Sequence, residues 1–406
     1  MPPAGIFFEQ RRAGRQVKRV YLDWNATAPL RPEAREAMLK AMDVVGNPSS
    51  VHAEGRAAKA IVEKARGQVA DLVGCEPSEV VFTSGATESL QTVCCQNWDM
   101  AQCSNVEHDA IASLLPALEE CQYGGGAFLN EHGIYMPDGT VSGFGFYSAT
   151  VKRGDKDWPH KSTGLFTLTT ANSETGVIQP VDEVFQDFSG EMEISRRLCD
   201  VTQSVSRIPL NASMRPFEFA ACSAHKIGGP KGVGTLYVKS GIDISSAKGG
   251  GQEMGRRSGT ENVIGIAGFG AAAVAAKRDL ENGVWERVEK LRDDLEDALA
   301  SAAPDIIFFG KDVARLPNTS CFAVPGWKGE TQVMQMDLAG YAISAGSACS
   351  SGKVKESRVL RAMGFDSVTA SSAIRVSMGP TTTEAEVMAF ADTWIEHYRR
   401  WKQRAA

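Results

Sequence analysis

The chain has 406 residues and a formal net charge of −6, from 43 lysines and arginines against 49 aspartates and glutamates. Such a length predicts two domains rather than one small core, and the negative balance excludes non-specific binding of nucleic acid or of an anionic membrane. Hydrophobic residues make up 43% and charged residues 23%, as in globular proteins, and no apolar run is long enough to span a bilayer.

Arg11, Arg12, Arg15, Lys18 and Arg19 stand against Glu9 near the start. This stretch lacks the serines and the amphipathic face of an organellar presequence, so it reads as a basic extension of a cytoplasmic protein. Helical periodicity follows over 31–45, with Pro32 in the first turn, and over 57–73, where Ile61, Ala65, Val69 and Val73 form one stripe. A short apolar run over 79–83 predicts a strand. Residues 123–164 are rich in glycine without a helical period and predict a hairpin-like meander or a loop excursion. Strands are predicted at 165–169, 217–221 and 234–238, with a short helix over 185–194 before Asp200. Helices close the chain at 285–302 and 383–402. The last carries Val387, Phe390, Trp394, Tyr398 and Trp401 on a face that suits a core or a subunit interface. Near-continuously apolar strands interleaved with helices indicate an α/β fold around a mainly parallel sheet, with helices on both faces.

Nine cysteines occur, an odd number, and no two are spaced as CxxC. Reduced thiols are expected, with no disulfide framework and no metal site. Cys199 and Cys222 lie in apolar runs. Cys349 lies among small polar residues, in Ser344-Ala-Gly-Ser-Ala-Cys-Ser-Ser-Gly352.

Several segments offer chemistry. Ser223-Ala-His-Lys226 puts a lysine between an apolar strand and a glycine-rich turn, and lysine is the usual anchor of pyridoxal phosphate (PLP). Lys231 matches it in type but follows a proline. A lysine of this kind and a thiol on a small-residue loop suggest amino-acid chemistry in which sulfur is removed. Thr83-Ser-Gly-Ala-Thr-Glu-Ser89 reads either as a phosphate cradle at a helix N-terminus or as a plain N-cap. Asp200 reads as a partner for a pyridine nitrogen or as an Asx turn. His108 reads as a ring-stacking proton shuttle or a structural histidine. Arg256 and Arg257, in a glycine-rich loop, suit an anion or a solvated turn.

Taken in order, Tyr21-Leu-Asp-Trp-Asn-Ala-Thr-Ala-Pro29, Gly46-Asn-Pro-Ser-Ser50, 83–89, Glu107-His108, Ala171-Asn-Ser-Glu-Thr-Gly176, Asp200-Val-Thr-Gln203, 223–226, Arg256-Arg-Ser-Gly-Thr260, Gly346-Ser-Ala-Cys349 and Ile374-Arg375 resemble the cysteine desulfurases of the class V aminotransferase family, in their NifS/IscS-like group. The resemblance runs from about Tyr21 to the last helix. It implies a fold type I PLP-dependent transferase, with a large PLP-binding domain over 31–279 and a smaller α+β domain over 1–30 and 280–406 that carries a mobile cysteine loop. Lys226 is then the lysine that binds PLP. His108 stacks on the ring, Asp200 pairs with its nitrogen and Gln203 bonds its phenolic oxygen. Ala86, Thr87, Ser223 and His225 hold the phosphate. Thr260 reaches the phosphate of a second subunit, which implies a homodimer. Arg375 takes the carboxylate of L-cysteine, with Asn47 and Asn172 as secondary contacts.

Cys349 is the implied persulfide carrier, with Lys353 and Lys355 favouring its thiolate. An iron–sulfur scaffold or a thiolation pathway is the implied sulfur acceptor. The family usually has asparagine where this chain has Ser173. A selenocysteine lyase, another class V enzyme and a catalytically weak sulfur-relay partner are the alternatives.

Overall fold

Residues 10–12, 15–17, 19–98, 100–114, 128–129, 135–136, 147–150, 164–187, 196–245, 250–346 and 356–405 are described by a computed structural model. They fall into two units. One lies within 28–172 and 178–281, the other within 1–27, 173–177 and 282–406.

The larger unit is built on a seven-stranded sheet. Its order is Val80–Thr83, Gly234–Val238, Phe219–Ser223, Arg196–Asp200, Gly164–Thr169, Met100–Cys103 and Tyr147–Thr150. The second and the last of these run against the other five. The sheet is therefore mixed, although its centre is parallel. Every residue of 164–169, 219–223 and 234–238 is buried, which is why these strands read as unbroken apolar runs rather than alternating ones.

Several predicted boundaries move for local reasons. The strand expected at 217–221 is Phe219–Ser223, because the Glu218 carboxylate takes the Arg197 N–H at 2.7 Å before the ladder begins. Glu79 belongs to a 3-10 turn, Pro77–Glu79, where its side chain accepts from the Glu76 N–H, so the strand starts at Val80. The first helix is Pro32–Met42. The second begins earlier than its stripe, at Ala53, because His52 Nδ1 accepts from the Gly55 N–H and caps it. The short helix before Asp200 is Val181–Asp187, and 188–195 lies outside the described residues. Within 123–164, the described residues form the antiparallel pair Phe128–Leu129 and Tyr135–Met136 and the sheet strand 147–150.

A 19-residue helix, Val263–Glu281, has no counterpart in the periodicity. It is alanine- and glycine-rich and buried on most sides, so no one-sided stripe marks it. It packs on Pro32–Met42 and Ala53–Val73. A Cβ at Gly270 would stand 2.7 Å from Ala65 Cα, and one at Gly268 would stand 2.7 Å from Met38 Cγ. Glycine permits that close approach.

The smaller unit carries an antiparallel sheet in the order Ile307–Phe308, Thr319–Ala323, Ala373–Ser377, Ser344–Ala345. Val20–Tyr21 pairs in parallel with Tyr341–Ala342. The helices Val284–Ala302 and Glu384–Ala405 are amphipathic as their stripes predict. Phe390 and Trp394 are fully buried, Trp394 packs edge-on against Phe322, and its indole N–H donates to Gln332 Oε1 at 3.0 Å. The aromatic face of the last helix is therefore core.

Candidate active site

Five of the seven strands end at one edge of the larger sheet. In an open α/β sheet the loops beyond the carboxyl ends carry ligands. Most candidate residues of this unit lie at or just beyond those ends: Ala86 and Thr87 after Thr83, Ser223 closing its strand with His225 and Lys226 after it, Asp200 closing its strand with Gln203 after it, Asn172 after Thr169, and His108 after Cys103.

The helix Ala86–Cys94 begins after Gly85 with no side-chain cap. Its first N–H, that of Ala86, donates to Ser223 Oγ at 2.8 Å. This joins the two halves of the predicted cradle, since 80–83 and 219–223 flank Gly234–Val238. A Cβ at Gly234 would fall 2.6 Å from Gly85 Cα, so only glycine lets these backbones come so close. Ser84 N–H donates to Glu88 Oε2, and Glu88 Oε1 accepts from Arg257 Nε at 2.7 Å. Arg257 is thus engaged in fixing the cradle, and Arg256 donates to the carbonyls of Ser78 and Ile242.

Lys226 ends the 3-10 turn Ala224–Lys226 and is half-buried. The His225 carbonyl takes the Ala28 N–H at 2.8 Å, and Arg31 Nε donates to the Ile227 carbonyl while its Nη2 pairs with Asp279 at 2.6 Å. The lysine therefore stands on a turn fixed from both sides. Burial, reinforced by the nearby Lys226 and Lys231 charges, pushes His225 down to about 4, so it is a neutral imidazole at pH 7.

Asp200 is buried, and its Oδ1 accepts from the Thr202 N–H at 2.9 Å. Among the described residues its other oxygen takes no hydrogen bond. Gln203, on the same turn, accepts at Oε1 from Arg207 Nη1 at 2.8 Å. Nδ1 of His108 accepts from the Ala110 N–H at 3.1 Å, which leaves the ring proton on Nε2. Two clips hold the loop before it. Glu107 Oε1 takes the Thr169 N–H at 2.7 Å, and Asn172 Nδ2 donates to the Val106 carbonyl at 3.0 Å. Asn172 is thus part of the scaffold beneath His108. Asn47 and Thr260 meet on an exposed surface, with Nδ2 at 3.5 Å from Oγ1.

In the smaller unit, Arg375 lies inside the strand Ala373–Ser377 and is 2% exposed. Its Nη2 pairs with Asp23 Oδ1 at 2.8 Å, and its Nη1 donates to the Ser173 carbonyl at 2.8 Å. Ser173 therefore enters through its main chain. Ser357 Oγ donates to Glu174 Oε2 at 2.5 Å, and a Cβ at Gly346 would stand 3.6 Å from that same oxygen. Gly346 and Ser357 flank 347–355. Cys349, Lys353 and Lys355 lie outside the described residues.

Five of the described cysteines are poor thiolates. Cys199, Cys222 and Cys321 are fully buried and pushed well above the ordinary thiol range by desolvation, and Cys75 and Cys94 are raised to about 12 by the same cause.

Sequence reasoning gave no role to Arg207, Glu107 or Asp23. Each had a readable signal: Arg207 lies four residues after Gln203, Glu107 adjoins His108, and Asp23 sits in the first motif.

Residues 20–128 and 153–390 match the model of the class-V aminotransferase family. A cysteine desulfurase from Cereibacter sphaeroides is 36% identical over 91% of this chain and 93% of its own. The cysteine desulfurase IscS of Dictyoglomus turgidum is 35% identical over 91% and 92%. The crystal structure of a NifS-like protein from Rickettsia africae superposes with a TM-score of 0.81 at 30% identity, covering 94% of this chain and 99% of that one. The family is PLP-dependent, and its fold is the α/β arrangement seen here. The chain belongs to the class-V aminotransferase family, in the NifS/IscS-like group of cysteine desulfurases.

Proposed function

We propose that this chain is a PLP-dependent cysteine desulfurase that converts L-cysteine to L-alanine and leaves the sulfur as a persulfide on Cys349. Family membership supports the reaction, and the carboxyl edge of the larger sheet supports the cofactor. The observation that carries the cofactor reading is Asp200, a buried carboxylate with one oxygen engaged by the Thr202 N–H and the other without a partner among the described residues. That oxygen fits the N–H of a protonated pyridine. Ser223 Oγ accepts from Ala86 N–H, and its own proton has no acceptor among the described residues, which fits a phosphate oxygen. The neutral His225 and the uncapped helix N-terminus complete an anion site.

When bound, PLP supplies an electron sink for the carbon that loses its proton. Lys226 Nζ would hold the cofactor and would move the substrate's α-proton. Asp200 would keep the ring nitrogen protonated. His108, with its proton on Nε2, would face the ring. Arg375, whose guanidinium is oriented by Asp23 and the Ser173 carbonyl, takes the substrate carboxylate. The Cys349 thiolate attacks the substrate sulfur. An S–S bond forms, the C–S bond breaks, and its electron pair remains on the β-carbon, which takes a proton to become the methyl group of alanine. Thr260, exposed beside Asn47, completes the phosphate site of a second subunit in a homodimer. The protein acts in the cytoplasm and passes its persulfide sulfur to an iron–sulfur scaffold or a thiolation pathway.

The test is alanine and sulfide release from L-cysteine in the presence of a thiol reductant. Equal rates of the two are expected from the wild type. Cys349→Ser should retain the cofactor and its spectral response to cysteine but lose turnover. Turnover at the wild-type rate in Cys349→Ser would replace the persulfide route by direct elimination of sulfide. Selenocysteine consumed in strong preference to cysteine would assign the chain as a selenocysteine lyase.

A further inference from the structure

The segment after Asp200 winds as a helical turn. The Ser204 and Val205 N–H groups donate to the Val201 carbonyl, and the Ile208 N–H to the Ser204 carbonyl. Such winding brings residues four apart onto one face. Gln203 and Arg207 meet there, 5% and 3% exposed. Arg207 Nη1 donates both to the Gln203 main-chain carbonyl and, at 2.8 Å, to its Oε1. A guanidinium has five donors and no acceptor. Of the two ends of a carboxamide, only the oxygen can face it. The Gln203 amide is therefore turned with its NH₂ away from Arg207, and that end can only donate.

We propose that Arg207 is a positioning residue that fixes Gln203 as a hydrogen-bond donor toward the phenolic oxygen of the cofactor ring. This rests on the reading of the site as a PLP site in which Gln203 faces that oxygen. Without Arg207 the amide oxygen loses the donor that sets its sense, and a turned amide would oppose its carbonyl to a phenolate. A donor on the phenolic oxygen favours its anion and weakens its hold on the proton shared with the nitrogen that Lys226 supplies. Arg207 thereby lowers the pH at which the resting chromophore loses that proton. The turn does not depend on the arginine alone. Thr170 Oγ1 bonds Ser204 Oγ at 2.6 Å and the Asp200 carbonyl at 3.1 Å, so a variant at 207 retains two other ties.

The experiment is a spectrophotometric pH titration of the resting holoprotein for the wild type, Arg207→Met, Arg207→Lys, Gln203→Ala and the Arg207→Met/Gln203→Ala double variant. Bound cofactor is quantified after alkaline release. Arg207→Met and Gln203→Ala should each raise the apparent pKa of the chromophore by about one unit, the scale of one hydrogen bond to a charged form. The double variant should shift no further than Gln203→Ala alone. Arg207→Lys, which keeps the charge but cannot fork, should fall between. Asp200, His108, His225 and Lys226, the titratable groups on the same sheet edge, are present in every variant. An unchanged apparent pKa in Arg207→Met beside a shifted one in Gln203→Ala would overturn the proposal, as would additive shifts. If Arg207→Met does not fold, Arg207→Lys carries the same criterion. A wild type without a chromophore would overturn the PLP reading itself, and this inference with it.

Discussion

Lys226 and Arg375 are the two cations on which the proposed chemistry rests, and their surroundings are opposite. Lys226 stands just past a strand end, half-buried on a short turn. Arg375 lies within a strand, 2% exposed, and pairs with Asp23. The difference suits the proposed roles. An amine that is to form and release a covalent bond must exchange its proton, and a turn at a strand end leaves it room to do so. A guanidinium keeps its charge throughout and can be buried if a carboxylate accompanies it.

The comparison can be broken at either end. The largest effect is expected at Lys226. Lys226→Ala should lower turnover by on the order of 10³-fold or more and let the cofactor dialyse away, while unfolding stability changes by no more than about 0.5 kcal/mol, as for a residue outside the core. Asp23→Ala should do the reverse in kind. It leaves Arg375 buried without its carboxylate and should lower stability by about 3 kcal/mol in urea titration. If instead Asp23→Ala left the midpoint unmoved, Arg375 would not depend on its pair for burial. Gly270→Ala tests the packing of the larger unit apart from either cation. Its methyl would press on Ala65 Cα, so about 1–3 kcal/mol of stability should be lost. The smallest effect concerns His225, next to Lys226. The fold holds it neutral down to about pH 4, whereas in the unfolded chain it takes a proton near 6.5. The unfolded state thus binds more protons between those values, and stability falls as pH drops through the window. His225→Gln should flatten that slope between pH 6.5 and 4.5. An equal slope in the variant would remove the histidine from the account.

The strand end at Asp200 was legible, and the one at Ser223 to within two residues, because each closes a short apolar run against polar or glycine-rich turn residues. The helix 263–281 was not, because alanine and glycine on all sides leave no stripe to read. The strand 373–377 was missed for a related reason: Arg375 interrupts its apolar pattern, and only the distant Asp23 explains how a cation sits there. The Arg207–Gln203 contact spans four residues, yet nothing in composition separates it from the many arginines that face solvent. Motif order carried the family. Geometry added the local ties that composition does not show, such as Asn172 Nδ2 on the Val106 carbonyl.

The strand Val80–Thr83 ends the larger sheet, so its outward amide and carbonyl groups have no neighbouring strand among the described residues. Side chains take that place. Arg66 Nη1 donates to the Val80 carbonyl at 2.7 Å, and the Phe82 N–H donates to Glu253 Oε2 at 2.8 Å. Arg66 and Glu253 are themselves joined by two hydrogen bonds, at 2.7 and 2.9 Å. This ion pair does what an added strand would do, and it protects the margin against pairing with another chain. Glu253 holds this position with a left-handed backbone at φ 49°, followed by Met254 at φ 60°, an arrangement non-glycine residues rarely adopt. The loop that ends in Thr260 is therefore fastened at one carboxylate. Deuterium exchange at the single amide of Phe82 would time its detachment, because that amide opens to solvent only when Glu253 lets go.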